Sequence, residues 1–352
     1  MVLKSTEYLK KIERGESMKE TIQILELFGG IGSPRVAMKN LGVPVKSIDY
    51  VEIDEKAVRS YNAMFADELA YKTQTVVGWN LKPDILIHGS PCQDFSIAGH
   101  QKGADEGSET RSSLMWETVH IIEQMGEWKP KIVIWENVKN VLSKHMVHNF
   151  NKYLAYMEKL GYTNSFKLLD ARDFGLPQAR QRVFTVSILE GEAFDFDLMQ
   201  KKPMGNIDDF LEDEVSEHYV VTQPSMLNRI KEGDSVFNGR VEVIKDYAMT
   251  ITCKQMRCPN SGVVELEDGD FRYLTERECW RLQGYSDEDF EAALSVHPGK
   301  PNKLNGALYK QAGNSIPVTI FEAMFEVMLP KFFDFNVSLD DTRKEGGQDG
   351  ET

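Results

Sequence analysis

The stretch HGSPCQDFS, residues 88–96, places Cys92 just past the apolar run DILI, where a buried strand would end. A cysteine there can be a nucleophile, a metal ligand or a small buried side chain. A second apolar run, KIVIWE, leads to Glu136 and Asn137 at what would be the same edge of a sheet. A thiol and a carboxylic acid on neighbouring strand tips suit one kind of chemistry. The thiolate adds to an electron-poor carbon, while the acid hydrogen-bonds or protonates the heteroatom that takes up the electrons. FGLPQARQRVF, residues 174–184, then offers Gln178, Arg180 and Arg182 at alternate positions. Side chains two apart on an extended chain share a side, so both guanidiniums can face one way and bind carbonyl or phosphate oxygens.

Upstream, LELFGGIGSPRVAMKNLG sets glycines at 29, 30 and 32 between an apparent strand and an apparent helix. Such a turn lets backbone approach a ligand at a helix N-terminus. The next strand ends in VEIDEKAV, with Glu52 where doubly wound folds hold ribose hydroxyls. Together these suggest an adenosine-containing cofactor.

The elements that must position these residues are readable from periodicity. TIQILELF, SIDYVEI, DILIHG, KIVIWE and RVFTVSIL read as buried strands, and the amphipathic stretches between the first four, with VHNFNKYLAYMEKLGY, read as helices. Alternating strand and helix predicts an α/β fold, a doubly wound and mostly parallel sheet with ligands at the carboxyl ends of its strands. From about residue 190 to 270 the rhythm weakens into an acidic run and glycine-containing turns, which suggests an inserted smaller domain. Helical patterns return in LTERECWRLQGY and IPVTIFEAMFEVMLPKFF.

Four cysteines scattered over 352 residues make no disulfide framework, and CKQMRC has no second Cys or His pair nearby, so no metal is expected. No apolar run spans a bilayer, and the charged opening MVLKSTEYLKKIERGESMKE has no apolar centre, so a cytoplasmic protein away from membranes is expected. A net charge of −14 argues against a polyanionic partner, but residues 129–190 hold ten Lys and Arg against five Asp and Glu. That segment can face nucleic acid or simply be solvated surface.

The motifs FGGIG, VEIDEKAV, GSPCQDFS, TRSSL, ENVKN, PQARQR, RYLTERECWRLQGY and QAGNSIPVTIFEAM, in this order over residues 25–328, resemble the DNA cytosine carbon-5 methyltransferases of bacteria and phages. The resemblance implies an S-adenosylmethionine-dependent catalytic domain of residues 1–189 and 307–335 and a target-recognition domain and hinge of residues 190–306; the polar, glycine-rich composition predicts a disordered tail of residues 336–352. It implies that Phe28, Gly30, Gly32, Glu52, Ile53, Pro91, Leu114, Asn314 and Ser315 bind S-adenosylmethionine, with Glu52 on the ribose and Ile53 on the adenine. Cys92 would attack carbon 6 of a cytosine flipped out of duplex DNA, Glu136 would contact ring nitrogen 3, and Arg180 and Arg182 would hold the base carbonyl and a phosphate. Gln93, Ser96, Gln178 and Arg272 would lie at the DNA, the first two in a lid and Gln178 bracing its loop. A monomer is expected, and a restriction endonuclease can accompany it.

Two departures stand out: Glu26 and Ser33 bound the glycine motif where the family usually has Asp and a second small residue, commonly Gly. Thr75 or Val76 stands where an acid usually meets the adenine amino group. Two other readings share these residues: a cytosine methyltransferase acting on transfer RNA, and a DNA-binding homologue that has lost catalysis.

Overall fold

The computed structural model describes residues 21–68, 70–76, 81–89, 114–231, 241–257 and 259–333. Four of the apolar runs form β1 (Ile22–Leu27), β2 (Val45–Val51), β3 (Ile85–His88) and β4 (Ile132–Val138), all parallel and ordered β2-β1-β3-β4. Their apolar side chains are buried on both faces, so they read as continuous runs and not as alternations. Helices α1 (Ser33–Asn40), α2 (Glu55–Met64), α3 (Leu114–Gln124) and α4 (Val147–Lys159) follow the strands in turn.

The sheet continues through two antiparallel strands that meet the parallel set at β4. β5 (Tyr162–Asp170) is the edge, β6 (Gln178–Ala179) is a two-residue spur, and β7 (Gln181–Leu189) pairs with both β4 and β5. The sequence gives little sign of β5. As an edge strand packed on α4 it buries few residues fully, and TNSFKLLD carries no clean alternation.

Among the described residues the buried apolar side chains form four clusters, one of them on the sheet face under α3 and α4 and one around Tyr50 and Tyr61; the other two bear on the domain boundary. The larger takes in one face of the sheet and the C-terminal helices α6 (Glu276–Arg281), α7 (Asp287–Val296), α8 (Gly306–Asn314) and α9 (Val318–Phe332). α9 packs on α1, and α7 packs on α2. The smaller core joins Val221, Met226, Ile230, Val241, Val263, Phe271 and Tyr273, with α5 (Pro224–Lys231) and the ladder of β9 (Val264–Glu265) and β10 (Phe271–Arg272). The separate core is therefore narrower than the expected 190–306. Phe194, Phe196 and Ile207 on one side, and Leu274, Trp280 and Phe290 on the other, are buried in the larger core. Helices α6 and α7 begin with capping boxes, Thr275 with Glu278 and Ser286 with Asp289, which satisfy the first free N–H groups of each.

The two bodies are joined where β6 pairs in parallel with β8 (Ala248–Met249). Beyond β8 the chain crosses α8 at Gly313, and a Cβ on that residue would collide with the backbone of Thr252 and Cys253. Gly313→Ala should therefore cost about 1–3 kcal/mol or more by overpacking. Gly299→Ala, in open space, should leave the urea midpoint unchanged; equal midpoints for both variants would refute this close crossing.

The glycine turn after β1 rests on a buried polar cluster. Tyr50 and Tyr61 stack at 3.7 Å, and the Tyr61 hydroxyl donates to Glu26 Oε2 at 2.6 Å while accepting from Arg35 Nη1 at 2.8 Å. Gly32 adopts φ 76°, and a Cβ there would stand 2.6 Å from the Tyr61 ring, so two constraints select glycine. Burial pushes the Glu26 carboxyl from 4.5 to about 7, against the opposing pull of Tyr61 and Arg35.

The folded chain thus keeps a proton that the unfolded chain releases near its ordinary value. The stabilisation is complete below about pH 4.5 and is lost as pH rises through about 7. The loss amounts to roughly 3 kcal/mol. Glu26→Gln removes this titration, so its stability relative to the parent should rise by that order between pH 4.5 and 8. A pH-independent difference in chemical denaturation would contradict the assignment.

Candidate active site

A cavity of about 510 Å³ opens at the carboxyl ends of β1, β2, β3 and β4. One half is built around the glycine turn. Phe28, which closes β1, holds a positive φ of 56° without being glycine, a strained geometry characteristic of ligand sites. Gly30 follows with open space where a Cβ would sit, and its carbonyl accepts from the Tyr50 hydroxyl at 2.5 Å. Glu52 ends the next strand tip. Its Oε2 accepts from Gly30 N at 2.9 Å, and its Oε1 accepts from Ile53 N and Asp54 N at 2.8 Å each. A carboxylate accepts about four hydrogen bonds, so capacity remains on Oε2 for a hydroxyl in the cavity.

Ile53 lies at the rim with 76% of its surface exposed, an apolar plate ready for a flat ring. Gln74, Thr75 and Val76 form the wall where an acid had been sought. The Gln74 amide donates to Asp49 Oδ1 at 3.3 Å. Leu114 borders the cavity from the start of α3, and Asn314 borders it from the end of α8.

The other half holds Glu136, Arg180 and Arg182. Glu136 Oε1 is 3.0 Å from Arg182 Nε, and both side chains are mostly buried. Burial raises the Glu136 carboxyl above its ordinary range, and the charges of Arg182 and Arg180 only partly offset it. Proton retention suits a group that must donate toward a ring nitrogen. A Cβ on Gly89, just past β3, would lie 3.7 Å from Glu136 Oε2, so the tip of β3 closes on this carboxyl.

Arg180 and Arg182 both reach the cavity but do different work. Arg180 falls between β6 and β7, and its guanidinium donates to three carbonyls: Ile251 at 2.8 Å, Gly313 at 3.1 Å and Ser315 at 2.6 Å. It ties the segment at Ile251 and the GNS loop to the start of β7.

Four expected contact residues are engaged within the protein itself. Gln178 is fully buried, with Nε2 donating to the Leu282 carbonyl at 2.7 Å and Oε1 accepting from Ile251 N at 3.1 Å, so it braces loops. Arg272 is buried in a two-pronged ion pair with Glu278, at 2.8 and 2.9 Å. Gly32 lies behind the cavity wall against Tyr61, and the Ser315 hydroxyl turns away into contact with Ser33 and Tyr285. Cys92, Pro91, Gln93 and Ser96 lie outside the described residues.

Sequence reading passed over Lys310 and Gln311, which line the cavity beside Asn314. Lys310 Nζ donates to Asp54 Oδ2 at 2.5 Å, and Gln311 bridges Ser60 and the Lys56 carbonyl. Their spacing from Asn314 on one helix face was the available signal.

The sequence profile of the C-5 cytosine-specific DNA methylases matches residues 22–329. The Type II methyltransferase M2.ScrFI of Lactococcus lactis subsp. cremoris is 34% identical, over 87% of this chain and 98% of that enzyme. The Type II methyltransferase M.DsaV of Dactylococcopsis salina is 30% identical, over 88% and 87%. In fold, the chain is similar to the S. pombe Dnmt2 methyltransferase, with a TM-score of 0.70 and 20% identity over 89% of this chain and all of that one. No helix among the described residues is long and apolar enough to cross a membrane. A doubly wound sheet, a carboxyl paired with arginine at its edge and a profile match across nearly the whole chain lead to one conclusion: this protein belongs to the C-5 cytosine-specific DNA methylases and is a DNA methyltransferase.

Proposed function

We propose that this chain transfers a methyl group from S-adenosylmethionine to carbon 5 of a cytosine turned out of duplex DNA, at a sequence read by the smaller body around residues 221–273. The observation that carries the reading is one cavity holding both Glu52 beside the glycine turn and the buried Glu136–Arg182 pair. The residues fit the donor: Gly30 leaves open space, Glu52 retains acceptor capacity for a ribose hydroxyl, and Ile53 offers an exposed apolar face for adenine. When bound, S-adenosylmethionine supplies an electrophilic methyl group.

The chain's own residues then act on the base. Cys92 lies three residues past Gly89 in the sequence. Its thiolate adds to carbon 6 of the cytosine. Glu136 donates its proton toward ring nitrogen 3, which takes up the displaced electrons and leaves carbon 5 nucleophilic. Arg182 holds the Glu136 carboxyl in place and is positioned to meet the base carbonyl. After methylation, loss of the carbon 5 proton expels the thiolate, and return of the nitrogen 3 proton to Glu136 restores the neutral ring. Extrusion of the base is required because carbon 6 is covered inside the stack.

Incubation with labelled methyl donor and, separately, DNA or transfer RNA tests the substrate. Label should enter DNA and map to carbon 5 of cytosine at one short motif; label in transfer RNA alone would overturn the reading. Cys92→Ala should abolish turnover, and Glu136→Gln should lower it by about 10² to 10⁴. An unchanged rate for Cys92→Ala would remove it as nucleophile.

A further inference from the structure

The motif RYLTERECWRLQGY carries no chemistry of its own in the reading above, yet its last turn touches several segments that border the site. The Leu282 carbonyl accepts from Gln178, the Gln283 carbonyl accepts from Val318 N at 2.9 Å, and Gln283 Nε2 donates to the Ala312 carbonyl at 2.6 Å. The Tyr285 hydroxyl lies 2.7 Å from Ser33 Oγ and 2.7 Å from Ser315 Oγ, and the two serines are 3.0 Å apart. All three residues are buried.

Three hydroxyls in mutual contact can form a closed ring, each donating once and accepting once. Ser33 is the first residue of α1, directly after the glycine turn. Ser315 presents its carbonyl to Arg180 at 2.6 Å. The ring therefore joins the wall beside Glu52 to the arginine that borders the Glu136 pocket. A purely apolar filling would pack this space without three buried hydroxyls to satisfy, whereas a hydrogen-bonded ring fixes separations through directed contacts.

We propose that Tyr285 is a positioning residue for methyl transfer: with Ser33 and Ser315, its hydroxyl sets the register of the glycine turn against Arg180 and the Glu136–Arg182 pair. The inference rests on the reading that donor and cytosine share this cavity, since only then does register between its two halves decide the rate. Misplacement of reacting atoms by about 1 Å can cost as much as 10²-fold.

Tyr285→Phe removes one oxygen and keeps the ring that packs 5.0 Å from Trp280, while Ser33→Ala removes two contacts from the other side. The measurements are the single-turnover transfer rate at saturating donor and DNA, the donor Kd and the thermal midpoint. Both variants should transfer about tenfold or more slowly with donor Kd changed by less than about threefold, and the double variant should be no slower than the slower single, as expected of a unit that acts through geometry. Unchanged rates with a lowered midpoint would show a merely structural ring and overturn the proposal. Rates that recover fully with more donor would make it a binding contact and overturn it also. If the parent protein transfers no methyl to DNA, the reading of the cavity itself fails; a parent that transfers, with an equally fast Tyr285→Phe, refutes the ring alone.

Discussion

A single buried guanidinium holds this site together. Arg180 spends its donors on carbonyls from two distant parts of the chain, Ile251 in the insert and Gly313 and Ser315 after α8. A charge in such a place is tolerable only because carbonyl oxygens replace the water it has lost. Those carbonyls belong to irregular backbone at a helix end and a loop crossing, where no regular ladder would satisfy them. Arginine and loops thus answer each other's needs, and the cavity wall takes its shape from that exchange. A lysine would bring the charge without the fork that reaches three acceptors at once.

The carboxyl at the other end of this arrangement shows how burial and charge divide the work. Arg182 alone would favour an ionised Glu136, but the desolvation of its position outweighs the cation and keeps the group toward its neutral form. Glu52, by contrast, sits at a strand tip among three backbone N–H groups. In the proposed reaction these two carboxyls of one cavity have different tasks, one accepting a hydroxyl and the other offering a proton.

Most of the parallel sheet was legible because its strands are buried on both faces and bounded by amphipathic helices. β5 was not, because an edge strand packed on one side need not alternate cleanly. Glu52 and Glu136 could be placed on the cavity from strand tips, Gly30 from the glycine turn and Arg182 from its alternate spacing, whereas Ile53 came from the family resemblance. Other side chains were less legible, for another reason. Gln178 and Arg272 are polar residues in motifs that also contact the cavity or the insert, and only tertiary packing decides that one braces loops and the other is consumed by Glu278. The hydroxyl ring lay beyond sequence reasoning because its members come from positions 33, 285 and 315.

The packing of α9 on α1 has a consequence for how the protein comes into being. Synthesis runs from the N-terminus, so β1 to β7 emerge well before α8 and α9. Through that interval the glycine turn lacks the helix that covers it, and Arg180 lacks the Gly313 and Ser315 carbonyls. The site is finished only after α8 and α9 have emerged. A product terminated before α8 thus carries Glu136 and Arg182 without the wall that organises them.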